Sequence, residues 1–395
     1  KAKIQKLIKD AIGRDVLAEV SVPQHISFGH YSTNVAMRLA QEEKKSPVEI
    51  AKNLAEKISY NAPTGMFQKI EAVAPGFINF WLSEKFLQKE LLSIYKKKKK
   101  YGESNLGKGK KVIVEYASLN IAKEMHVGYL RNISIGDALA NAHEALGYKI
   151  IRWNYLGDWG TQFGNLIAAY KWWGDRKEIE KNPIKELNAL YVRFHKELKE
   201  KPQLEAEGRE EFRKLEEGDK ENKKLWQWFK IESLKEFHKT LKTLGVRFDL
   251  EIGESFFEKE MEPTVKELLE RKIAKVSEGA VMVPLDRFGL PPALVRKSDG
   301  GSLYLTRDLA NLKYRIKKYN PNKILYVVGN EQALHFEQVF RVSELMGLSH
   351  GADLEHVKYG LVHAEGGGKF STRGGNVILL NDVVGKAAEL AGKIV

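Results

Sequence analysis

The 395-residue sequence contains no cysteine. That excludes disulfides and thiolate metal sites, and it makes a cytoplasmic protein the default expectation. No apolar run approaches the roughly 20 residues that a membrane-crossing helix requires. The opening KAKIQKLIKDAIGRDV is amphipathic and carries acids, unlike a signal peptide, and it has no initiator Met, so residues ahead of it are expected. Neither the dinucleotide pattern GxGxxG nor the Walker pattern GxxxxGK[ST] is found, and no internal repeat is visible. Acidic residues are in the minority. Against 52 Asp and Glu stand 65 Lys and Arg, a formal charge of +13 with pI near 9.4. Such a balance points to a polyanionic partner, nucleic acid first, or to lysine-rich solvated faces.

The composition, 43% hydrophobic and 30% charged, is that of a globular protein, and the length calls for more than one domain. Residues 1–95 read as a small α+β unit. Helices are expected over Lys1–Ile12, over Pro47–Ile58 with Ser46 as N-cap, and from about Thr33 and Ser83. A Pro-Gly turn leads into an apolar strand within Ala72–Leu82. The lysine run 96–100 and the Gly-rich YGESNLGKGKK form a linker over 96–110. From Lys111 onward, strand and helix alternate, the pattern of a parallel sheet. Strands are expected over 111–116, Lys149–Trp153, Asp249–Ile252, Gly279–Leu285, Ala293–Arg296, Lys323–Val328 and Val357–His363. A charged helical insertion interrupts them over about 175–245.

Three polar clusters fall at strand ends or helix starts: NIAKEMHVGY, SDGGSLYLTRD and GGGKFSTRGGN. The first closes the run Val112-Ile113-Val114-Glu115 and opens a helix reaching about Leu146. This strand-loop-helix places ligands at the carboxyl end of a strand, where unpaired helix-start N–H groups favour phosphate. Singly, each cluster also has an ordinary reading: a helix-start His126, a surface pair Tyr304/Asp308 four residues apart, a Gly-rich loop at 366–375. Their order carries the argument.

HVGY resembles the HIGH signature, and KFSTR the KMSKS signature, of class I aminoacyl-tRNA synthetases. More narrowly, ASLNIAKEMHVGYLRNISIGDALA, YLGDWGTQFG, SDGGSLYLTRDLA, YVVGNEQALHF and KFSTRGGN resemble the arginyl-tRNA synthetases. FGHYSTNVAMRLA and APGFINF are similar to that family's N-terminal domain, which contacts the tRNA elbow. The resemblance implies an α/β fold: a Rossmann-type parallel-sheet catalytic domain over 111–395 with the helical insertion, preceded by the small α+β domain. It also implies ATP-dependent activation of L-arginine to arginyl-AMP and transfer to the terminal adenosine of tRNA(Arg). Mg²⁺ is expected to arrive with ATP, no metal site of the protein's own is expected, and neither is a membrane partner; the expected state is a monomer.

The chemistry fits these residues. Carboxylate attack on the α-phosphate needs positioning and charge neutralisation rather than a protein nucleophile. The resemblance assigns catalysis to His126, Lys123, Lys369 and Ser371, with ATP also meeting Gly128 and Tyr129. Arginine is expected against Glu115, Ser118, Asn120, Tyr129, Tyr304, Asp308 and Gln332. A planar guanidinium calls for forked acid acceptors, and Glu115 and Asp308 are interchangeable in that role on sequence alone. Lys123, three residues before the signature, stands in for the lysine that Thr372 replaces in the KMSKS-like loop. Tyr129 replaces the second His of HIGH, Phe370 replaces Met, and His30 stands where the family has Asp. The family's C-terminal anticodon-binding domain is absent from the sequence, so a non-catalytic tRNA-binding relative or an inactive fragment is the alternative reading.

Overall fold

The computed structural model describes residues 1–16, 18–298, 303–349, 351–362 and 378–394. The chain divides into two compact units, Lys1–Gly102 and Glu103–Val395.

In the first unit, helix α1 (Ala2–Ile12) buries Ile4, Leu7, Ile8 and Ala11, one stripe at helical spacing, and stops at Gly13 in the left-handed conformation. Strand β1 (Tyr31–Thr33) precedes α2 (Val35–Glu43) and α3 (Pro47–Asn61). Thr33 is therefore a strand residue, not a helix start: its Oγ1 accepts the Val35 N–H at 3.3 Å. Strands β2 (Phe67–Val73) and β3 (Phe77–Leu82) complete an antiparallel sheet of order β1-β3-β2. Alternate residues Ile78, Phe80 and Leu82 of β3 enter the core with α1, α2 and α3. Helix α4 (Glu84–Lys97) is capped by Ser83, whose Oγ accepts the Phe86 N–H at 3.1 Å. Gly29 has φ +95°, and a Cβ there would lie 2.8 Å from the Phe80 carbonyl, so the FGH turn requires glycine. His30 accepts the Leu82 N–H through Nδ1 at 3.1 Å.

The second unit opens with β4 (Lys111–Glu115), α5 (Val127–Ala145), β5 (Lys149–Asn154) and α6 (Thr161–Trp173). The insertion follows as α7 (Arg176–Lys181), α8 (Pro183–Glu197), α9 (Gln203–Glu217) and α10 (Lys220–Thr243). Its apolar faces share a core with α6 through Phe163, Ile167, Leu187, Phe194, Phe229 and Phe237. Next come β6 (Leu250–Glu251), α11 (Glu258–Glu270), β7 (Lys275–Ser277), β8 (Ala280–Val283) and β9 (Ala293–Arg296). The unit ends with α12 (Tyr304–Tyr319), β10 (Lys323–Gly329), α13 (Ala333–Leu345), β11 (Asp353–Tyr359) and α14 (Leu380–Ile394).

Five strands form a parallel sheet in the order β11-β10-β4-β5-β6. The chain leaves β4 toward β5 on one side and later returns to place β10 on the other. The carboxyl end of β4 is thus a topological switch point, where such sheets bind ligands. Two expectations are corrected. The apolar segments at 279–296 do not extend this sheet; β7, β8 and β9 make a separate antiparallel one. The last strand lies at 353–359 rather than 357–363, because Asp353–Tyr359 pairs in parallel with Lys323–Gly329 of β10.

Candidate active site

Beyond Glu115 the backbone takes a path that L-residues rarely adopt: Ala117, Ser118 and Ala122 have φ of 68°, 50° and 61°. Such residues cost about 1–3 kcal/mol each and persist where surroundings over-determine them. Here they do. The pairing of β4 with β10 ends at Glu115↔Tyr326, and the Asn132 amide of α5 enters just past that point. Its Oδ1 accepts the Ala117 N–H at 2.5 Å, and its Nδ2 donates to the Val327 carbonyl at 2.7 Å and the Tyr359 hydroxyl at 2.9 Å. Asn154 Oδ1 accepts the Leu119 N–H at 3.3 Å, and Ser233 Oγ, from the insertion, accepts the Ala122 N–H at 3.0 Å.

His126 is the N-cap of α5 and accepts the Gly128 N–H through Nδ1 at 3.1 Å. With Nδ1 so engaged, the ring proton of neutral His126 belongs on Nε2, and burial holds the pKa below the ordinary histidine range. A Cβ on Gly128 would come 2.8 Å from the His126 ring. The Tyr129 ring lies 4.6 Å from that of His126, and its hydroxyl accepts from Asn120 Nδ2 at 3.1 Å; burial pushes the phenol's pKa up. Lys123 Nζ lies 5.7 Å from the centre of the Tyr191 ring on the insertion. Lys369 and Ser371 lie outside the described residues. The described residues on either side of their segment bond to the start of α5. Arg131 donates to the Gly360 and Leu361 carbonyls at 2.6 and 3.1 Å, Val127 N–H to Ile378 at 3.0 Å, and Leu380 N–H to Met125 at 2.8 Å.

The second half of the site is acidic. Glu115 is buried and bound through Oε2 by the guanidinium of fully buried Arg315. Burial raises its pKa, Arg315 opposes that, and the nearby charge of Asp308 adds to it. Asp308 bonds His335 Nε2 at 2.6 Å. Tyr304, one turn earlier on α12, is exposed, as is Gln332 in the single turn after β10. Ser118 is partly buried. Glu254 lies close enough to Asp308 to feel its charge, and its pKa is pushed up to about 7, chiefly by burial, with Arg307 opposing at 3.5 Å. Asp158 of the GDWG motif is fully buried, bound by Lys230 at 2.5 Å and by Ser255 N–H at 2.9 Å, an internal junction between the insertion and the sheet.

The structure thus brings Asn120, His126 and Tyr129 into contact, sets Glu115 and Asp308 within each other's field, and leaves Tyr304 and Gln332 facing solvent. Sequence reasoning missed Asn132, Glu254, Arg315 and His335. The available signals were modest: Arg315 stands seven residues after Asp308 between apolar Leu312 and Ile316, and Asn132 lies on the buried stripe of α5.

A parallel sheet with its switch point at β4 and a histidine-capped helix opening beside it is the architecture of a class I tRNA synthetase. Residues 90–395 match the family described as tRNA synthetases class I (R), catalytic domain, and residues 1–82 match the arginyl tRNA synthetase N terminal domain. The chain is 44% identical over 393 residues to an arginine–tRNA ligase of Clostridioides difficile, covering 99% of this chain and 68% of the relative. With its counterpart from Enterococcus faecalis it shares 46% over 358 residues, 90% of this chain and 62% of that one. Among solved structures, Thermus thermophilus arginyl-tRNA synthetase aligns with a TM-score of 0.76 at 22% identity, over all of this chain and 70% of that one. The Plasmodium falciparum arginyl-tRNA synthetase aligns with a TM-score of 0.70 at 28% identity, over 91% and 64%. The chain belongs to the arginyl-tRNA synthetase family, and it spans 62% to 70% of the length of these curated and solved relatives.

Proposed function

We propose that this chain activates L-arginine with ATP to form arginyl-AMP and then transfers arginine to the terminal adenosine of tRNA(Arg). The observation that carries the reading is the pairing, at one switch point, of two carboxylates with a histidine-capped helix start. A guanidinium suits the carboxylates, and a triphosphate suits the helix start.

In the activation step an arginine carboxylate oxygen attacks the α-phosphorus in line, the new O–P bond forms, and the bond to the pyrophosphate oxygen breaks. His126, neutral and protonated on Nε2, donates to phosphate oxygens as their charge grows; one such donor is worth about 10²–10³ in rate. Gly128 leaves the adenine face of α5 open. Lys123, Lys369 and Ser371 balance the departing pyrophosphate. Asp308 and Tyr304 hold the arginine side chain, Glu115 takes the guanidinium or the α-amino group, and Ser118, Asn120, Tyr129 and Gln332 complete the pocket. Lysine is rejected because a compact ammonium leaves forked acceptors unmatched, a mismatch worth up to about 10⁴–10⁵ at hydrogen-bonding sites. Mg²⁺ is assigned to the phosphates of ATP, which it accompanies.

Residues 1–95 are assigned to tRNA contact and 111–395 to catalysis, in a monomer working in the cytoplasm. The test is ATP–pyrophosphate exchange with each amino acid, with and without tRNA. Arginine-dependent exchange is expected. A folded sample that binds tRNA but exchanges with no amino acid would reject the catalytic reading in favour of a tRNA-binding relative. With +13 formal charge, tRNA affinity should fall steeply with salt; a flat response would reject phosphate contact.

A further inference from the structure

We infer that Arg315 is a positioning residue for arginine recognition: it grips one oxygen of Glu115 and thereby aims the other at the substrate. The inference rests on the proposed arginine-binding reading.

Helix α12 presents Tyr304, Asp308, Asn311 and Arg315 at successive spacings of four, three and four, so all four share one stripe. Asp308 and Tyr304 lie toward the helix start, where substrate is expected, and Arg315 lies deeper. Glu115 is paired in register with Trp153 on one neighbouring strand and Tyr326 on the other. Residues at one level of a parallel sheet point to one face. The Arg315 guanidinium lies over both of those rings, 4.3 Å from the centre of Trp153 and 5.5 Å from that of Tyr326, with Tyr155 at 5.8 Å. Stacked among three rings, it has one planar orientation to offer. Its Nη2 holds Glu115 Oε2, and among the described residues no hydrogen bond engages Oε1.

Two consequences follow for a guanidinium arriving from the Asp308 side. The carboxylate it meets is held at one oxygen by a buried guanidinium, which narrows the positions open to the other oxygen. Arg315 is also the cation that opposes protonation of Glu115, which burial and the nearby charge of Asp308 favour. Arg315 balances Glu115, so the substrate's charge is matched by Asp308. The internal arginine is thus the mould around which a second, incoming guanidinium is read.

The test is equilibrium binding of arginine and of ATP to the whole chain across about pH 6–9, for the parent, Arg315→Met and Arg315→Lys. In Arg315→Met, Glu115 takes up a proton, and arginine should bind at least about tenfold more weakly near neutrality, regaining affinity as the pH rises. Arg315→Lys keeps the charge but not the guanidinium's contacts with the Trp153, Tyr155 and Tyr326 rings, so it should bind arginine several-fold more weakly with the parental pH profile. ATP affinity should be unchanged in both. Parental arginine affinity in Arg315→Met, a loss without a changed pH profile, or equal losses for arginine and ATP would overturn the inference. Should the Met variant not fold, parental arginine affinity in Arg315→Lys overturns it. A parent that binds ATP but no arginine would instead overturn the reading beneath it.

Discussion

Replacing Asn132 with Ala tests whether the switch point is held open by one side-chain amide. Just past the Glu115↔Tyr326 pair, Ala117 N–H and the Val327 carbonyl are the groups a continued ladder would use, and both are satisfied by Asn132 instead. The substitution strands a buried donor and a buried acceptor, each costing about 1–3 kcal/mol. Water entering the vacated space recovers part of that, so about 2–4 kcal/mol of stability should be lost. Tyr359, the third partner, is partly buried and can turn to solvent. The loss should also relax the left-handed path of Ala117 and Ser118, displacing Ser118 and Asn120 from substrate; misplacement of about 1 Å costs on the order of 10²-fold. Urea unfolding reports the first effect, and the KM for arginine in pyrophosphate exchange the second. Asn132→Asp keeps the acceptor for Ala117 and should retain more activity than the Ala variant. If Asn132→Ala unfolds within about 0.5 kcal/mol of the parent and keeps its arginine KM, the amide does not hold the loop.

Asp308→Asn removes a charge from the guanidinium site and should raise the KM for arginine about 10- to 100-fold, as expected for a charge-assisted bond, while the KM for ATP stays; equal increases in both would place Asp308 outside the pocket. Gly128→Ala puts a methyl 2.8 Å from the His126 ring and should lower kcat by about 10² through displacement of that donor, which single-turnover adenylate formation would measure. Glu254 has a folded pKa of about 7 against an ordinary 4.5. Between those values the fold retains a proton that the unfolded chain has released, so this group's contribution is fully present below 4.5 and is lost as pH rises through 7. Glu254→Gln should flatten the decline of unfolding free energy across that window; an unchanged slope would mean that Glu254 titrates normally.

Elements whose signal is local were legible in the sequence. The Val112–Glu115 run, the helix opened by His126 and the helical character of the insertion each depend on periodicity or a cap within a few residues. Sheet membership was not. β7, β8 and β9 are as apolar as strands of the main sheet, and only their partners distinguish them. β2 escaped notice because polar Gln68, Lys69 and Glu71 and a register shift between Phe67 and Lys69 break its alternation. Among candidate-site residues, those named from the sequence lie in motifs at strand ends or helix starts. Those missed act across long separations: Arg315 meets Glu115 200 residues away, and Asn132 meets Val327 195 away. A buried arginine in a helix announces that some acid must face it, but not which one.

The insertion also changes meaning once the contacts are known. From its sequence it reads as a helical insertion lodged in the α/β domain, and three of its side chains hold residues of that domain in place. Ser233 holds the Ala122 N–H, Lys230 neutralises buried Asp158, and the Tyr191 ring lies against Lys123. Thr240 further bonds Asn381 at the start of α14 at 2.7 Å, and Leu380 beside it clasps Met125. The strained loop after β4, Lys123 and the start of α14 therefore share one support. Strain at Ala117, Ser118 and Ala122 is tolerated because α5, β5 and α10 each hold one part of the loop. The insertion thus helps to set the path of the loop carrying Asn120 and Lys123, which would lose a fixed end without it.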